Sequence, residues 1–336
     1  MTDKSNIPRA GRPGQPVERP PRQSPASGAL EIPPTLDGIP LRERRILVQG
    51  ITLRVVEAGP ENGPLVVLLH GFPEYWYGWR KQIPALARAG FRVWVPDQRG
   101  YAGSDKPQGV AAYRLEVLAR DVMGLLDAAG VERAAAVVGH DWGAVVAWWV
   151  GIAHPNRLDR LVILNVPHPS RKVMRAALRK RPDQLLKSWY IFAFQLPRVP
   201  EWLLRRKNWR LLAGNLRGKS PDSITRDDRA RYREAWSSPG AVTGMLNWYR
   251  AILRHPPRFP GTNRVRVPTL ILWGEQDRYL TPELGPLSLE QCDDGRLVTF
   301  PHATHWLQHD EPEGVNGELL RFLGAEPIRG PRAAAP

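Results

Sequence analysis

The stretch AVVGHDWGAVVAWW, residues 136–149, runs from an apolar, strand-like segment through Gly139-His140-Asp141-Trp142-Gly143 into an apolar segment of helical character. The pattern is strand, tight turn, helix. Turns of this kind can present a reacting side chain at the middle of a G-x-S-x-G run. Here the middle residue is Asp141, so a carboxylate stands where a hydroxyl is usual.

Outward from this turn, the same alternation repeats. LVVLLH (65–70), FRVWVP (91–96), AAAVVG (134–139) and RLVILN (160–165) are continuous apolar runs, the mark of strands buried on both faces. Helices are expected at about 77–88, 113–129 and 142–154. Before them, RRILVQG and ITLRVVEAG read as two strands joined by a turn at Gln49-Gly50. From 169 to 262 the rhythm stops: apolar residues fall at helical spacing among many arginines, with no strand pattern. It resumes with PTLILWG (268–274), a helix near 282–290, RLVTF (296–300) and a closing helix at 312–323. Alternating strands and helices imply an α/β fold with a mostly parallel, doubly wound sheet. The expected organisation is a disordered Pro/Arg-rich tail (1–36), a first core part (37–168), an inserted helical cap (169–262), a second core part (263–325) and a flexible C-terminal tail (326–336).

Composition sets the remaining bounds. The chain has 336 residues, 42% hydrophobic and 24% charged, with a single cysteine, Cys292. One cysteine allows no internal disulfide, which suits a reducing compartment, and a cytoplasmic location is expected. The first residues have no apolar core, so no secretory signal is read there. No apolar run is long enough to span a bilayer; the best candidate, 134–153, is broken by His140 and Asp141. The net charge is +15. Between Arg171 and Arg264 there are 22 Lys/Arg against 6 Asp/Glu, or +16, so the rest of the chain is near −1. The charge is therefore a property of the insertion. It reads first as a solvated helical surface, second as attraction to acidic lipid through the basic cap or to an anionic substrate. No zinc cluster, phosphate loop or RNA-binding signature supports nucleic acid. The 40 arginines against 8 lysines suggest a GC-rich, bacterial source.

In an open parallel sheet, sites form beyond the carboxyl ends of the strands. His70-Gly71-Phe72-Pro73, Asp141, Asp277 and His305 all fall there, and the order nucleophile, acid, histidine is that of α/β-hydrolase triads. HGFPE (70–74), DQRGYAGSDKP (97–107), GHDWGA (139–144), WGEQDRY (273–279) and HATHWLQHDEP (302–312), with SWYIFAFQLP (188–197) and NWYR (247–250), occur in an order and spacing that resemble the soluble epoxide hydrolases of the α/β-hydrolase fold. The resemblance spans roughly residues 40–325. It implies Asp141 as nucleophile, His305 as the base activating water, and Asp277 as the carboxylate orienting the imidazole. His302 and Glu275 are the nearest competitors for the last two roles. It also implies backbone N–H donors at Phe72 and Trp142, a cis peptide before Pro73, and Tyr190 and Tyr249 as donors to the departing oxygen. Trp142, Trp189, Phe192, Phe194, Trp248 and Trp306 are candidate pocket walls.

An aspartate at the elbow suits a particular chemistry. Its reference pKa of about 3.9 leaves it ionised, so it attacks without a base. Attack on a saturated carbon makes an alkyl ester that water can reopen, whereas serine would leave an inert ether. The expected reaction is conversion of a lipophilic, small-molecule epoxide to a vicinal diol without cofactor or metal, by a monomer or homodimer. Two alternatives remain open at this stage. A haloalkane dehalogenase shares the Asp-Trp-Gly elbow but needs halide donors rather than paired phenols, and often carries Asn where Phe72 stands. A non-enzymatic binding protein on the same scaffold would tend to lose a member of the triad.

Overall fold

The computed structural model describes residues 30–180, 189–259, 261 and 263–325. Nine strands form one sheet in the order β1-β2-β3-β5-β4-β6-β7-β8-β9. They are β1 (Thr35–Leu36), β2 (Ile39–Val48), β3 (Ile51–Ala58), β4 (Leu65–Leu69), β5 (Arg92–Pro96), β6 (Ala136–His140), β7 (Leu161–Leu164), β8 (Thr269–Gly274) and β9 (Gly295–Phe300). Strands β4 to β9 run parallel to one another, while β1, β2 and β3 join antiparallel. Every residue of β4, β6 and β7 is buried, as their uninterrupted apolar sequences require of strands covered on both faces.

Helices flank the sheet: α1 (Ile83–Arg88), α2 (Leu115–Ala128) and α3 (Trp142–Ala153). Between β7 and β8, the regular elements of the described residues are helices, α4 (Arg171–Lys180), α5 (Trp189–Ala193), α6 (Val199–Asn215), α7 (Arg226–Ser237) and α8 (Ala241–Arg254), followed by a single bridge from Val265 to Cys292. Helix α6 is broken in two, because the backbone leaves the helical region from Arg206 to Trp209. After β8 come α9 (Leu284–Leu289), α10 (Leu307–Asp310) and α11 (Pro312–Leu323).

The sequence expectations differ from this in instructive places. The helix expected from 77 starts only at Ile83, where Pro84 supplies the fixed φ of a first helical turn. Ahead of it, Trp76–Trp79 make a short 3₁₀ turn. Pairing begins earlier than expected: Thr35 and Leu36 pair with Pro40 and Ile39 around Asp37-Gly38, both at positive φ. Leu30, Ile32 and Leu36 pack on the core, so the end of the expected tail belongs to the sheet edge. The remainder of that tail, residues 181–188 of the expected cap and residues 326–336 lie outside the described residues.

Candidate active site

The site stands beyond the carboxyl ends of β4, β6, β7, β8 and β9. Asp141 lies in the turn from β6 to α3, with φ 48° and ψ −123°. That backbone conformation is strained for a residue with a side chain, at a cost of about 1–3 kcal/mol. Packing holds it there. A Cβ on Gly143 would sit 2.1 Å from the carbonyl oxygen of Leu69, so only glycine lets α3 close onto the end of β4. A Cβ on Gly71 would meet the Asp141 side chain at 2.3 Å, so the loop after β4 also comes in against the carboxylate. That loop carries a cis peptide between Phe72 and Pro73.

The Asp141 carboxylate has two partners. Its Oδ1 accepts the Phe72 N–H at 2.7 Å. Its Oδ2 lies 3.4 Å from Nε2 of His305. The opposite ring nitrogen, Nδ1, is 2.7 Å from Asp277 Oδ2. Asp277 is fully engaged: the Asn165 side-chain amide donates to Oδ2 at 2.8 Å, and the N–H groups of Tyr279 and Leu280 donate to Oδ1 at 2.7 and 3.0 Å. Asn165, the residue after β7, is itself fixed by accepting the Gly274 N–H at 2.9 Å. Of the rival residues, His302 is exposed.

The electrostatics follow from this geometry. Burial alone would raise the Asp277 pKa, but the adjacent His305 and the hydrogen-bond donors around it hold it below the usual carboxylate value. Burial alone would lower the His305 pKa, but two carboxylates flank the ring, and they push it up to about 10. The ring is therefore an imidazolium at neutral pH, sandwiched between Asp277 and Asp141. Tyr190 and Tyr249 are shifted upward, first by burial and then by neighbouring phenols and Asp141, so both remain protonated phenols.

Asp141, Tyr190, Tyr249 and His305 border one cavity of about 320 Å³. Phe72, Pro73, Trp189, Phe194 and Trp306 supply apolar wall. The Tyr249 ring makes edge contacts with Trp142 at 4.9 Å, Phe194 at 5.0 Å and Phe72 at 5.2 Å, and lies 5.9 Å from Tyr190. Trp142 is the first residue of α3, where an N–H has no acceptor within the helix.

Three of the expected wall residues do not border the cavity. Phe192 stands in solvent, 63% exposed. Helix phase explains it: Tyr190 in α5 and Phe194 just past its end are four apart, joined by the Phe194 N–H to the Tyr190 carbonyl at 2.9 Å, and both turn inward, whereas Phe192 falls on the opposite side. Trp248 is fully buried beneath, where its indole N–H donates to the Arg99 carbonyl at 3.0 Å. Trp142 supports the floor through its contact with Tyr249 and with Trp248 at 5.8 Å, and its ring is not part of the wall.

Several residues that complete the site are not among the sequence candidates, although most of them lie within the quoted motifs. Tyr279 is a third phenol on the wall, its ring 5.1 Å from His305. Asn215 and Arg278 border the cavity from α6 and the β8 loop. Below the floor, the buried Glu74 carboxylate accepts from Tyr232 O–H at 2.6 Å, His309 Nε2–H at 2.7 Å and the Gln308 amide at 3.0 Å. His140 donates from Nε2 to the His305 carbonyl at 2.8 Å. Tyr232 lies on α7, so this buried polar cluster ties the helical insertion to the loop that carries His305. HGFPE reads as a motif from its own residues, but nothing local shows that its acid meets partners 158 or more residues away.

Comparison with known proteins adds the following. Residues 64–312 match the family described as alpha/beta hydrolase fold. A Bacillus subtilis protein called AB hydrolase superfamily protein YfhM is 46% identical over 276 residues, covering 82% of this chain and 95% of that one. Epoxide hydrolase A of Mycobacterium tuberculosis is 36% identical over 321 residues, covering 85% of this chain and 98% of that one. A crystal structure of an epoxide hydrolase from Bacillus megaterium with an inhibitor superposes with a TM-score of 0.75 at 31% identity, over 84% of this chain and 100% of that one.

Proposed function

This chain belongs to the epoxide hydrolase family of the α/β-hydrolase fold, and from that premise we propose that it opens an epoxide to a vicinal diol through a covalent ester on Asp141. The observation that carries the reading is the fixed line Asp277–His305–Asp141, with the Phe72 N–H on the far oxygen of the nucleophile. In the first half-reaction, an Asp141 oxygen attacks a ring carbon. The carbon–oxygen bond of the epoxide breaks, and the departing oxygen takes a proton or a hydrogen bond from Tyr190 and Tyr249. Alkoxide is a poor leaving group, so this donation is the condition for ring opening.

The ester changes the electrostatics of the base. Alkylated Asp141 carries no charge, so His305 loses one of the two carboxylates that held its proton. Its pKa falls, and it gives that proton to the oxygen left negative by ring opening, tyrosinate or alkoxide, to become a neutral base held by Asp277. His305 then takes a proton from water, and the hydroxide adds to the ester carbonyl. The resulting oxyanion lies where the Phe72 N–H already points and next to the Trp142 N–H at the start of α3, a two-donor hole. Collapse breaks the acyl–oxygen bond, the departing diol oxygen takes the proton from His305, and the Asp141 carboxyl, now holding one water-derived oxygen, returns its proton to the imidazole. Incubation with styrene oxide tests the assignment. Diol formation above background is expected; no diol, together with halide release from a haloalkane, would transfer the protein to dehalogenase chemistry.

A further inference from the structure

Nine large hydrophobic side chains stand in solvent among the described residues, and all but Leu47 lie on the helical insertion. Six of them fall between 189 and 203: Trp189, Phe192, Leu196, Val199, Trp202 and Leu203. Trp189 and Trp202 are 66% and 57% exposed. This stretch is not a frayed end. Arg250 on α8 donates to the carbonyls of Phe194 and Leu196 at 3.0 and 2.9 Å and pairs with Glu201 at 2.8 Å. The Gln195 amide donates to the Tyr249 carbonyl at 2.9 Å. A fixed apolar patch of this kind on a folded protein marks a contact surface.

The rim of the patch is cationic. Arg198, Arg205, Arg206, Lys207 and Arg210 are exposed and have no acidic partner among the described residues. Arg206 stacks on Trp202 at 4.5 Å. Beside them runs a groove of about 1130 Å³ whose charged lining residues, Arg217, Arg229 and Arg233 among them, are all cations. The groove shares Asn215 and Arg278 with the active-site cavity, and Trp189 borders that cavity's mouth.

We propose that this face of the insertion docks on the surface of a bilayer containing anionic lipid, with the tryptophans in the interface and the arginines on the headgroups. Tryptophan favours the bilayer interface, and each Lys or Arg near an anionic surface adds attraction that salt screens. A second copy of this chain fits poorly, because two such faces would set like charges against each other. Residues 1–29 offer no complement either, with 5 Lys/Arg against 2 Asp/Glu. Docking would place the cavity mouth at the membrane, so a lipophilic epoxide could enter without crossing water. That delivery step rests on the proposed epoxide chemistry; the docking does not.

Flotation of the full chain with phosphatidylcholine vesicles, with and without phosphatidylglycerol, tests the docking. At low salt, binding to the anionic vesicles should exceed binding to the neutral ones by about 100-fold or more, and salt should weaken it. The variant Arg205→Gln/Arg206→Gln/Lys207→Gln/Arg210→Gln should lose about 100-fold of that binding, and Trp202→Ser about tenfold. Both should retain the wild-type rate on a small water-soluble epoxide and lose rate on a long-chain epoxide loaded in anionic vesicles. Wild-type protein that stays in the aqueous phase at low salt, or variants that bind as well as wild type, would overturn the docking. A concentration-dependent dimer broken by Trp202→Ser would give the face to a second copy instead. Binding to an acidic protein without binding to vesicles would give it to that partner. Vesicle binding by a protein that makes no diol would keep the docking and remove the epoxide reading.

Discussion

Strand β7 and helix α6 are both rich in large apolar residues, yet they spend them differently. All of Leu161–Leu164 is buried. In Val199–Asn215, Leu204, Trp209 and Leu212 are buried while Val199, Trp202, Leu203 and Leu211 stand in solvent. The contrast extends to charge: the residues from Arg171 to Arg264 carry +16, and the rest of the chain is close to neutral. The sheet uses its apolar surface to hold a strained elbow in place. The insertion uses only part of its apolar surface for packing and leaves the rest outside. Asp141, Asp277 and His305 therefore stand at the ends of the strands, while the insertion sets Tyr190 and Tyr249 over them and turns the rest of its apolar surface outward.

Substitutions on the two sides should separate along this line. Asp141→Ala, on the sheet side, should cut diol formation by at least about 10⁴-fold, since it deletes the attacking atom, and should lower the thermal midpoint only as far as the Phe72 N–H and His305 lose their partner. His305→Gln should still form the ester but hydrolyse it about 10²–10⁴-fold more slowly. Intact-protein mass would then show an adduct that persists; absence of the adduct would place His305 in the first half-reaction. Tyr190→Phe with Tyr249→Phe, on the insertion side, should slow ring opening by about 10²–10⁴-fold with little loss of stability. Unchanged alkylation in that double variant would separate the insertion from the chemistry.

Two weaker effects sharpen the contrast. Glu201→Ala would leave Arg250 buried without its partner, at a cost of about 3–5 kcal/mol. Hydrogen exchange should report the loosening in α6 and α8 and none in β6 or β7. The last concerns pH. His305 holds its proton more tightly folded than unfolded, with its pKa raised to about 10. Its contribution to stability is therefore complete below the unfolded value of about 6.5 and is lost as pH rises through 10. Denaturation midpoints should fall across that window in wild type and less so in His305→Gln. Equal slopes would mean that the ring is not held between two carboxylates.

The sequence was informative where one local rule dominated. Uninterrupted apolar runs announced β4, β6, β7 and β8, and GHDWG announced the elbow, because strand burial and turn geometry are set by neighbours in the chain. The two tyrosines came from motif context, and the structure sets both in one cavity with Asp141. What sequence could not supply was direction. Trp248 and Tyr249 are adjacent, yet one turns into the core and the other into the cavity, a difference of about 100° on one helix. Asn165 and Tyr279 act through partners brought together only by the sheet, so no local pattern exposes them. Nor does spacing disclose which arginines are exposed or that α6 is broken at Arg206.

The ester on Asp141 is the claim on which the rest depends, and repeated turnover in heavy-oxygen water addresses it most directly. Peptide mass analysis should find the heavy isotope in the Asp141 carboxylate, and the diol from the first turnover should carry an unlabelled, enzyme-derived oxygen. Heavy oxygen in the first-turnover diol, with Asp141 unlabelled after many cycles, would mean that water attacks the epoxide directly and would contradict the account.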